Sequence, residues 1–137
     1  MRRVIVDTGP IVALLNKRDQ HHAWARETFD GIEPPLLTCE PVLAEASYLV
    51  RKFAGGPEAV LDLVGRRVLE VSFRVDGELL ALRTLLTKYA SVPMSLADAC
   101  LVRMVELDPH ATIVTLDADF RVYRRSGRHA VPVIMPA

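Results

Sequence analysis

Two aspartates stand directly after predicted strands, where a carboxylate could take part in chemistry. Asp7 follows the apolar run Arg3–Val6, and Asp117 follows the apolar run over residues 112–116. Ligands of open parallel sheets bind beyond the carboxyl ends of the strands. Two carboxylates at that edge would repel each other unless a positive charge lay between them. The alternative interpretation is that each aspartate caps the helix or turn that follows it.

Asp98 lies on a strongly apolar predicted helix that starts near Ser95. Leu101, Val102 and Val105 follow it at spacings of three, four and seven residues. This spacing places the Asp98 side chain within the apolar face of the helix. An ionised carboxylate there costs several kcal/mol unless it is paired or binds a metal ion. Ser95 and Asp98 also match a helix capping box, which explains their spacing but does not require the apolar neighbours.

Glu45 borders the apolar stripe of a predicted helix over residues 40–53. It follows Val42 by three residues and precedes Leu49 by four, so on its own it reads as a glutamate that reaches solvent from the edge of the stripe. Together, however, the four acids could converge at one end of the sheet. Hard oxygen ligands suit Mg²⁺ or Mn²⁺ rather than zinc. Such clusters commonly serve phosphodiester hydrolysis, so we expect a metal-dependent phosphodiester hydrolase.

The elements that must position these acids alternate between strands and helices. Besides the two strands already named, we predict strands over residues 36–39, 68–71 and 131–134, the last at an edge because Pro132 disfavours a central position. Helices are predicted between them, over residues 10–15, 20–30, 40–53, 57–64, 79–88 and 95–107. Strands separated by helices form mainly parallel sheets. We therefore expect an α/β fold, an α/β/α sandwich with a central, mainly parallel sheet of four to five strands, in a single domain over residues 1–137.

The composition is that of a folded domain. The 137 residues are 50% hydrophobic and 25% charged, which excludes a disordered or low-complexity chain. No apolar run approaches the ~20 residues of a spanning helix, and Asp7 comes too early for a signal peptide. Cys39 and Cys100 match no disulfide or zinc pattern. We therefore expect a cytoplasmic protein that does not contact the membrane.

Four motifs in this order resemble those of PIN-domain nucleases. They are Val6-Asp7-Thr8-Gly9, Ala44-Glu45-Ala46, Ser95-Leu96-Ala97-Asp98-Ala99 and Thr115-Leu116-Asp117-Ala118-Asp119-Phe120. The resemblance spans nearly the whole chain, and a single compact domain is most similar to the VapC-type toxins of bacterial toxin–antitoxin pairs. One departure is Gly9-Pro10, which stands where many of these toxins carry a serine and an aliphatic residue.

The resemblance implies an endoribonuclease in which a metal-bound water attacks the RNA phosphate. The residues that it implies as catalytic and as ligands of Mg²⁺ or Mn²⁺ are Asp7, Glu45, Asp98 and Asp117. The residues that it implies in supporting roles are Thr8, Thr115 and Asp119. It further implies an RNA substrate, a cognate antitoxin protein as partner and a homodimer as the assembly.

Arginines crowd the segment after the last acidic motif, at Arg121, Arg124, Arg125 and Arg128. A guanidinium group matches the geometry of a phosphate, so these side chains are candidates for RNA contact, although a solvated face explains them equally well. The 17 basic and 17 acidic residues give a net charge of zero, which is unusual for a nucleic-acid binder. Two divalent ions at the acidic site would add four positive charges, so zero net charge does not exclude RNA.

Two other functions compete with this interpretation. A non-toxin PIN-domain protein could process or bind RNA with the same residues. A receiver-type phosphoacceptor domain would share the length and the aspartate after the first strand. That class needs an acidic pair after the first strand, an aspartate after the third and a lysine late in the chain. Here Asp7 stands alone, Ser72 follows the third strand and the last lysine is Lys88, so the receiver fits poorly.

Overall fold

Strands and helices alternate along the computed structural model, which describes residues 3–53 and 55–137. The strands are β1 Arg3–Val6, β2 Leu36–Cys39, β3 Leu69–Phe73, β4 Ala111–Val114, β5 Arg124–Arg125, β6 His129–Ala130 and β7 Val133–Ile134. The α-helices are α1 Thr8–Leu15, α2 His22–Asp30, α3 Glu40–Leu49, α4 Gly56–Gly65, α5 Leu79–Lys88 and α6 Leu96–Leu107. Short 3-10 helices cover Val75–Gly77 and Ala118–Arg121.

Five of these strands form one parallel sheet in the order β3-β2-β1-β4-β7. The predicted α/β fold with a mainly parallel sheet is confirmed, and helices flank the sheet as expected. The short strand β7 lies at the edge, where Pro132 needs no amide hydrogen, and the Pro132 carbonyl accepts from the amide of Ile113 at 2.9 Å. Strand β4 is buried at all four residues, as expected for a continuous apolar run at the centre of a parallel sheet.

The register of the two central strands determines what meets at the carboxyl edge of the sheet. Val6 of β1 pairs with Val114 of β4. The next residue along each strand, Asp7 and Thr115, therefore emerges side by side at this edge. The Asp7 amide continues the ladder by donating to the Val114 carbonyl at 3.0 Å. The first of the predicted acids is thus anchored by the sheet itself.

Helix α6 is the most deeply buried helix in the described ranges, in agreement with its apolar sequence. Leu101, Val102 and Val105 are fully buried. On the polar side of the helix, the Arg103 guanidinium contacts Glu78 at 2.6 Å and Glu106 at 3.2 Å. The side chain of Ser95 caps the helix by accepting from the Asp98 amide at 3.0 Å. Because α6 packs on β4 and β2, its first turn lies over the same sheet that carries Asp7.

Three details of the predicted elements were wrong or missing. The helix predicted over residues 40–53 ends at Leu49, since tighter turns follow it, and Leu49 and Phe53 are 45% and 43% exposed rather than part of a buried stripe. The polar turn before the second helix makes Asp19 a candidate cap of that helix, but Asp19 instead closes the turn by accepting from the His21 amide at 2.8 Å. The antiparallel hairpin of β5 and β6 was not predicted, because strands of two residues carry no periodicity.

Two further sequence expectations concern cysteines and membranes. Cys39 and Cys100 are buried free thiols, so they form no disulfide with each other. Within the ranges that the structure describes, no helix combines the length and the apolar character needed to cross a membrane.

Candidate functional site

The carboxylate of Asp7 is buried and fully engaged by hydrogen bonds. Its residue is only 6% exposed. One oxygen, Oδ1, accepts from the Thr8 amide at 2.7 Å and so caps α1. The other, Oδ2, accepts from the Thr115 hydroxyl at 2.7 Å. Asp7 therefore caps a helix, as the alternative interpretation of the sequence proposed, but its second oxygen belongs to a network at the edge of the sheet.

Thr115 links two of the predicted acids. Its buried hydroxyl donates to Asp7 and accepts from the Asp117 amide at 3.0 Å. Asp117 in turn accepts the Asp119 amide on Oδ1 at 2.9 Å, which caps the 3-10 helix that begins at Ala118. The loop after β4 is therefore held in place by side chains that face the same edge as Asp7.

Asp98 reaches this region from the first turn of α6. It is half-buried, and its Oδ2 accepts a hydrogen bond from the Tyr123 hydroxyl at 2.8 Å. Burial raises the pKa of Asp98 above its ordinary value, the Tyr123 hydrogen bond lowers it and the negative charge of Asp117 raises it. Asp98 therefore lies on the apolar face of α6, and its amide is also capped by Ser95. The two interpretations that the sequence offered as alternatives both apply.

The three aspartates share one electrostatic environment. Burial raises the pKa of Asp7 to about 6, even though the hydrogen bonds from Thr115 and Thr8 lower it, and the negative charges of Asp98 and Asp117 add to the rise. Among residues 3–53 and 55–137, the ion pairs are Arg3–Asp108, Arg74–Asp76, Arg103–Glu78 and Arg103–Glu106. None of these pairs neutralises Asp7, Asp98 or Asp117, so the edge of the sheet carries uncompensated negative charge.

The donor chemistry of this edge fits a hard divalent cation. Over the described part of the chain, no three His, Cys, Asp or Glu side chains form a ready-made group that could hold a metal ion. Mg²⁺ does not need such a cage, because proteins commonly hold it by one or two carboxylates together with waters and substrate phosphates. Next to Asp7, the Thr8 hydroxyl oxygen is buried and finds no hydrogen-bond partner among the described residues. Uncompensated carboxylates beside an orphaned hydroxyl suit such an ion.

Glu45 is the predicted acid that the structure does not bring into this network. Its side chain is exposed on α3, and it forms no hydrogen bond or ion pair with another residue in the described ranges. The charges that act on Asp7 come from Asp98 and Asp117. Helix α3 nevertheless packs against both α1 and α6, the helices that carry or follow the other acids.

The four candidate arginines fall into two groups. The Arg124 guanidinium donates to the carbonyls of Arg121 and Tyr123 at 2.8 and 3.0 Å, and that of Arg125 donates to the Pro109 carbonyl at 3.3 Å. Arg121 and Arg128 are exposed, and their side chains make no hydrogen bond or ion pair to any residue that the structure describes. The first two arginines therefore support the local chain, while the other two remain available to a ligand.

The structure shows a steric reason for glycine at position 9, where many of the similar toxins carry a serine. A Cβ atom at Gly9 would lie 3.2 Å from the Leu116 side chain, which is tighter than ordinary van der Waals contact. A serine at this position would thus require Leu116 to shift. Pro10 is buried in the first turn of α1, where its missing amide hydrogen costs nothing.

Sequence reasoning missed Tyr123. This residue is fully buried and contacts Asp98 across 25 positions of the chain. No spacing rule joins an aromatic residue to an acid that far away, so only the packed fold reveals the contact. Phe120, by contrast, is an apolar residue of the last acidic motif for which the sequence favours core packing, and it is fully buried.

A parallel α/β/α sandwich with carboxylates at the carboxyl edge of its sheet defines the class of this molecule. The PIN domain family model matches residues 4–126, and the chain belongs to this family. It is 28% identical over 116 residues to the Mycobacterium tuberculosis protein named ribonuclease VapC26, and the match covers 83% of this chain and 86% of that protein. The receiver-type alternative is thereby set aside.

A solved structure has the same fold. The crystal structure of M. tuberculosis VapC20, described as a sarcin–ricin loop cleaving toxin, superposes with a TM-score of 0.71. The match covers 87% of this chain and 93% of that one, at 23% sequence identity. The chain is therefore similar in sequence to a protein named as a VapC ribonuclease and in fold to a VapC toxin.

The buried charge of Asp7 predicts a specific dependence of stability on pH. Its pKa is about 6 in the folded state and 3.8 ordinarily, so the unfolded state loses this proton at lower pH than the folded state. In EDTA, the ionisation of Asp7 should therefore lower the free energy of unfolding by about 2–3 kcal/mol as pH rises from 4 to 7. Denaturant unfolding of wild type and Asp7→Asn at several pH values measures this difference.

The matched control is Asp62→Asn, which removes an exposed carboxylate from α4. Its unfolding free energy should follow that of the wild type at every pH. The free energy of unfolding of Asp7→Asn should instead increase relative to that of the wild type as pH rises. Parallel curves for Asp7→Asn and wild type would show that Asp7 carries no buried charge.

Proposed function

We propose that this chain is a divalent-metal-dependent endoribonuclease that hydrolyses RNA phosphodiester bonds as the toxin of a toxin–antitoxin pair. The observation that carries the proposal is the buried Asp7 carboxylate, which lies in the field of Asp98 and Asp117 without an ion-pair partner among the described residues. Membership of the PIN domain family supports it. So does the sequence similarity to a protein named as a ribonuclease.

The residues that would hold Mg²⁺ or Mn²⁺ are Asp7, Asp98 and Asp117, with Glu45 as the fourth acid from α3. When bound, the cation would neutralise the carboxylates, polarise the scissile phosphate and make water more acidic. The same charges that raise the pKa of Asp7 favour cation binding. Because the aspartates repel each other in the free protein, binding a cation relieves a cost that the fold already carries.

The chain's own contribution is to fix the orientation of these acids before RNA arrives. The Thr115 hydroxyl holds Oδ2 of Asp7 and the backbone amide of Asp117. The Asp119 amide holds Oδ1 of Asp117. Groups that are already oriented lose little entropy when they bind substrate. Thr8 would contribute its unpartnered hydroxyl beside Asp7.

RNA would be held by the exposed arginines that follow the acidic loop. Arg121 and Arg128 have guanidinium groups free for phosphate among the described residues, while those of Arg124 and Arg125 bond to the Arg121 and Pro109 carbonyls and so support the surrounding chain. With two divalent ions bound, a chain of zero net charge becomes cationic. We further propose a single nuclease domain over residues 1–137 that acts in the cytoplasm as a homodimer and pairs with a cognate antitoxin.

A second candidate function is a PIN-domain protein outside a toxin pair that processes or binds RNA. The observation that favours binding without cleavage is the exposed Glu45 side chain, which lies outside the network of the three aspartates in the described residues. The two candidates differ in outcome. A toxin cleaves RNA and arrests growth when it is expressed, whereas an RNA-binding protein retains RNA intact and a processing enzyme cleaves without arresting growth.

Asp98→Asn should lower the rate of RNA cleavage at least about 100-fold in Mg²⁺ or Mn²⁺, since it removes one charge of the proposed cation site. The measurement is the cleavage of total bacterial RNA, with the new 5′ ends mapped. Asp62→Asn serves as the control and should cleave as the wild type does. Full activity in Asp98→Asn would contradict the assignment of the site. Expression of the wild type but not of Asp98→Asn should arrest bacterial growth.

Arg121→Ala combined with Arg128→Ala should weaken RNA binding and reduce the slope of log affinity against log salt by about one to two, because up to two phosphate contacts disappear. Fluorescence anisotropy with labelled RNA measures both quantities. Arg83→Ala removes an exposed arginine from α5 and should leave the slope unchanged. An unchanged slope in the double variant would mean that these arginines form only a solvated face.

A further inference from the structure

Tyr123 connects two of the acid-bearing segments through both its backbone and its side chain. Its amide donates to the Asp119 carbonyl at 3.1 Å, which ties it to the loop that carries Asp117. Its hydroxyl donates to Oδ2 of Asp98 at 2.8 Å, which ties it to the first turn of α6. One buried residue therefore spans the distance between the loop after β4 and helix α6.

The ring of Tyr123 is held rigidly enough to act as a fixed donor. It packs edge-to-face against Tyr89 and Phe120, with ring centroids 5.1 and 5.2 Å away and interplanar angles of 68° and 87°. Both are favourable geometries for aromatic pairs. The neighbouring backbone is held as well, since the Arg124 amide donates to the Tyr89 hydroxyl at 2.8 Å. The Tyr123 hydroxyl is therefore presented from a packed and fully buried side chain.

The choice of acceptor distinguishes this tyrosine from an ordinary core residue. A buried phenol usually finds a hydrogen-bond partner, and the Tyr89 hydroxyl in the same cluster finds a backbone group, because it accepts from the Arg124 amide. Tyr123 instead bonds a carboxylate that is half-buried and lies in the field of Asp117. A hydrogen bond to one oxygen of a carboxylate restricts rotation of the whole group. Outer partners of this kind orient the ligands in metal sites.

We propose that Tyr123 is a positioning residue, which holds the Asp98 carboxylate in the orientation needed to bind a divalent cation. This inference rests on the proposed function, because it concerns the same cation site. Tyr123 touches neither RNA nor the reacting atoms in this account. It acts only through Asp98.

The test is Mn²⁺ binding, measured by the loss of the free-ion EPR signal, to wild type, Tyr123→Phe, Tyr89→Phe and Asp98→Asn. Tyr123→Phe keeps the ring and removes the donor, so its affinity for Mn²⁺ should fall about 10-fold. Tyr89→Phe removes a hydroxyl from the same aromatic cluster that does not touch Asp98, so its affinity should equal that of the wild type. Thermal unfolding in EDTA shows whether both variants remain folded at the temperature of the titration.

The outcomes separate this inference from the proposed function. If the wild type binds Mn²⁺, Asp98→Asn binds it weakly and Tyr123→Phe binds it as the wild type does, the positioning role is overturned while the cation site stands. If Tyr89→Phe loses affinity as much as Tyr123→Phe, packing rather than positioning is responsible, and the role is again overturned. If the wild type binds no Mn²⁺, the cation site and the role of Tyr123 fail together.

A second variant tests the inference even if Tyr123→Phe does not fold. In the chain with Tyr48→Phe and Tyr89→Phe, Tyr123 is the sole tyrosine. Binding of Mg²⁺ should shift its near-ultraviolet absorption, because the acceptor of its hydrogen bond becomes a cation ligand. Asp98→Asn in this background should abolish the shift. A tyrosine spectrum that does not change while Mg²⁺ binds would overturn the positioning role.

Discussion

The buried negative charge of Asp7 is the constraint on which the carboxyl edge of the sheet depends. A carboxylate that is 6% exposed must be hydrogen-bonded or neutralised to remain ionised. The fold supplies two hydrogen bonds, from Thr8 and Thr115, but among the residues that the structure describes it supplies no cation. Two hydrogen bonds lower the pKa of Asp7 without overcoming its burial. The hydrogen bonds therefore compensate the buried charge of the Asp7 carboxylate only in part.

This arrangement follows from the order and register of the strands. Strands β1 and β4 are neighbours at the centre of the parallel sheet, so Asp7 and Thr115 leave the sheet side by side. The loop after Thr115 returns Asp117 to the same edge, and the packing of α6 against the sheet adds Asp98. The aromatic cluster around Tyr123 then joins this loop to α6. Each aspartate thus comes from a different element, and all three elements are positioned by the same sheet.

Much of the fold and part of the site could be predicted from the sequence. The apolar runs that precede Asp7 and Asp117 indicated parallel strands, and helical spacing placed Asp98 within an apolar face, because both signals are local. The contact between Tyr123 and Asp98 could not be predicted, since it depends on how α6 packs against a segment that lies 25 positions away in the chain. The position of Glu45 could not be fixed either, because a residue at the edge of a stripe can face the core or the solvent. Its side chain is exposed.

If the uncompensated carboxylates at the sheet edge form a cation site, the titration of Asp7 must respond to a divalent cation. Carbon-13 NMR of the aspartate carboxyl groups follows this residue in EDTA and in Mg²⁺, with Asp7→Asn to assign the signal. The pKa of Asp7 should be about 6 in EDTA and should fall below that value when Mg²⁺ is added. If the pKa of Asp7 in EDTA lies near its ordinary value of 3.8, or does not change when Mg²⁺ is added, the carboxylates at this edge do not form a cation site.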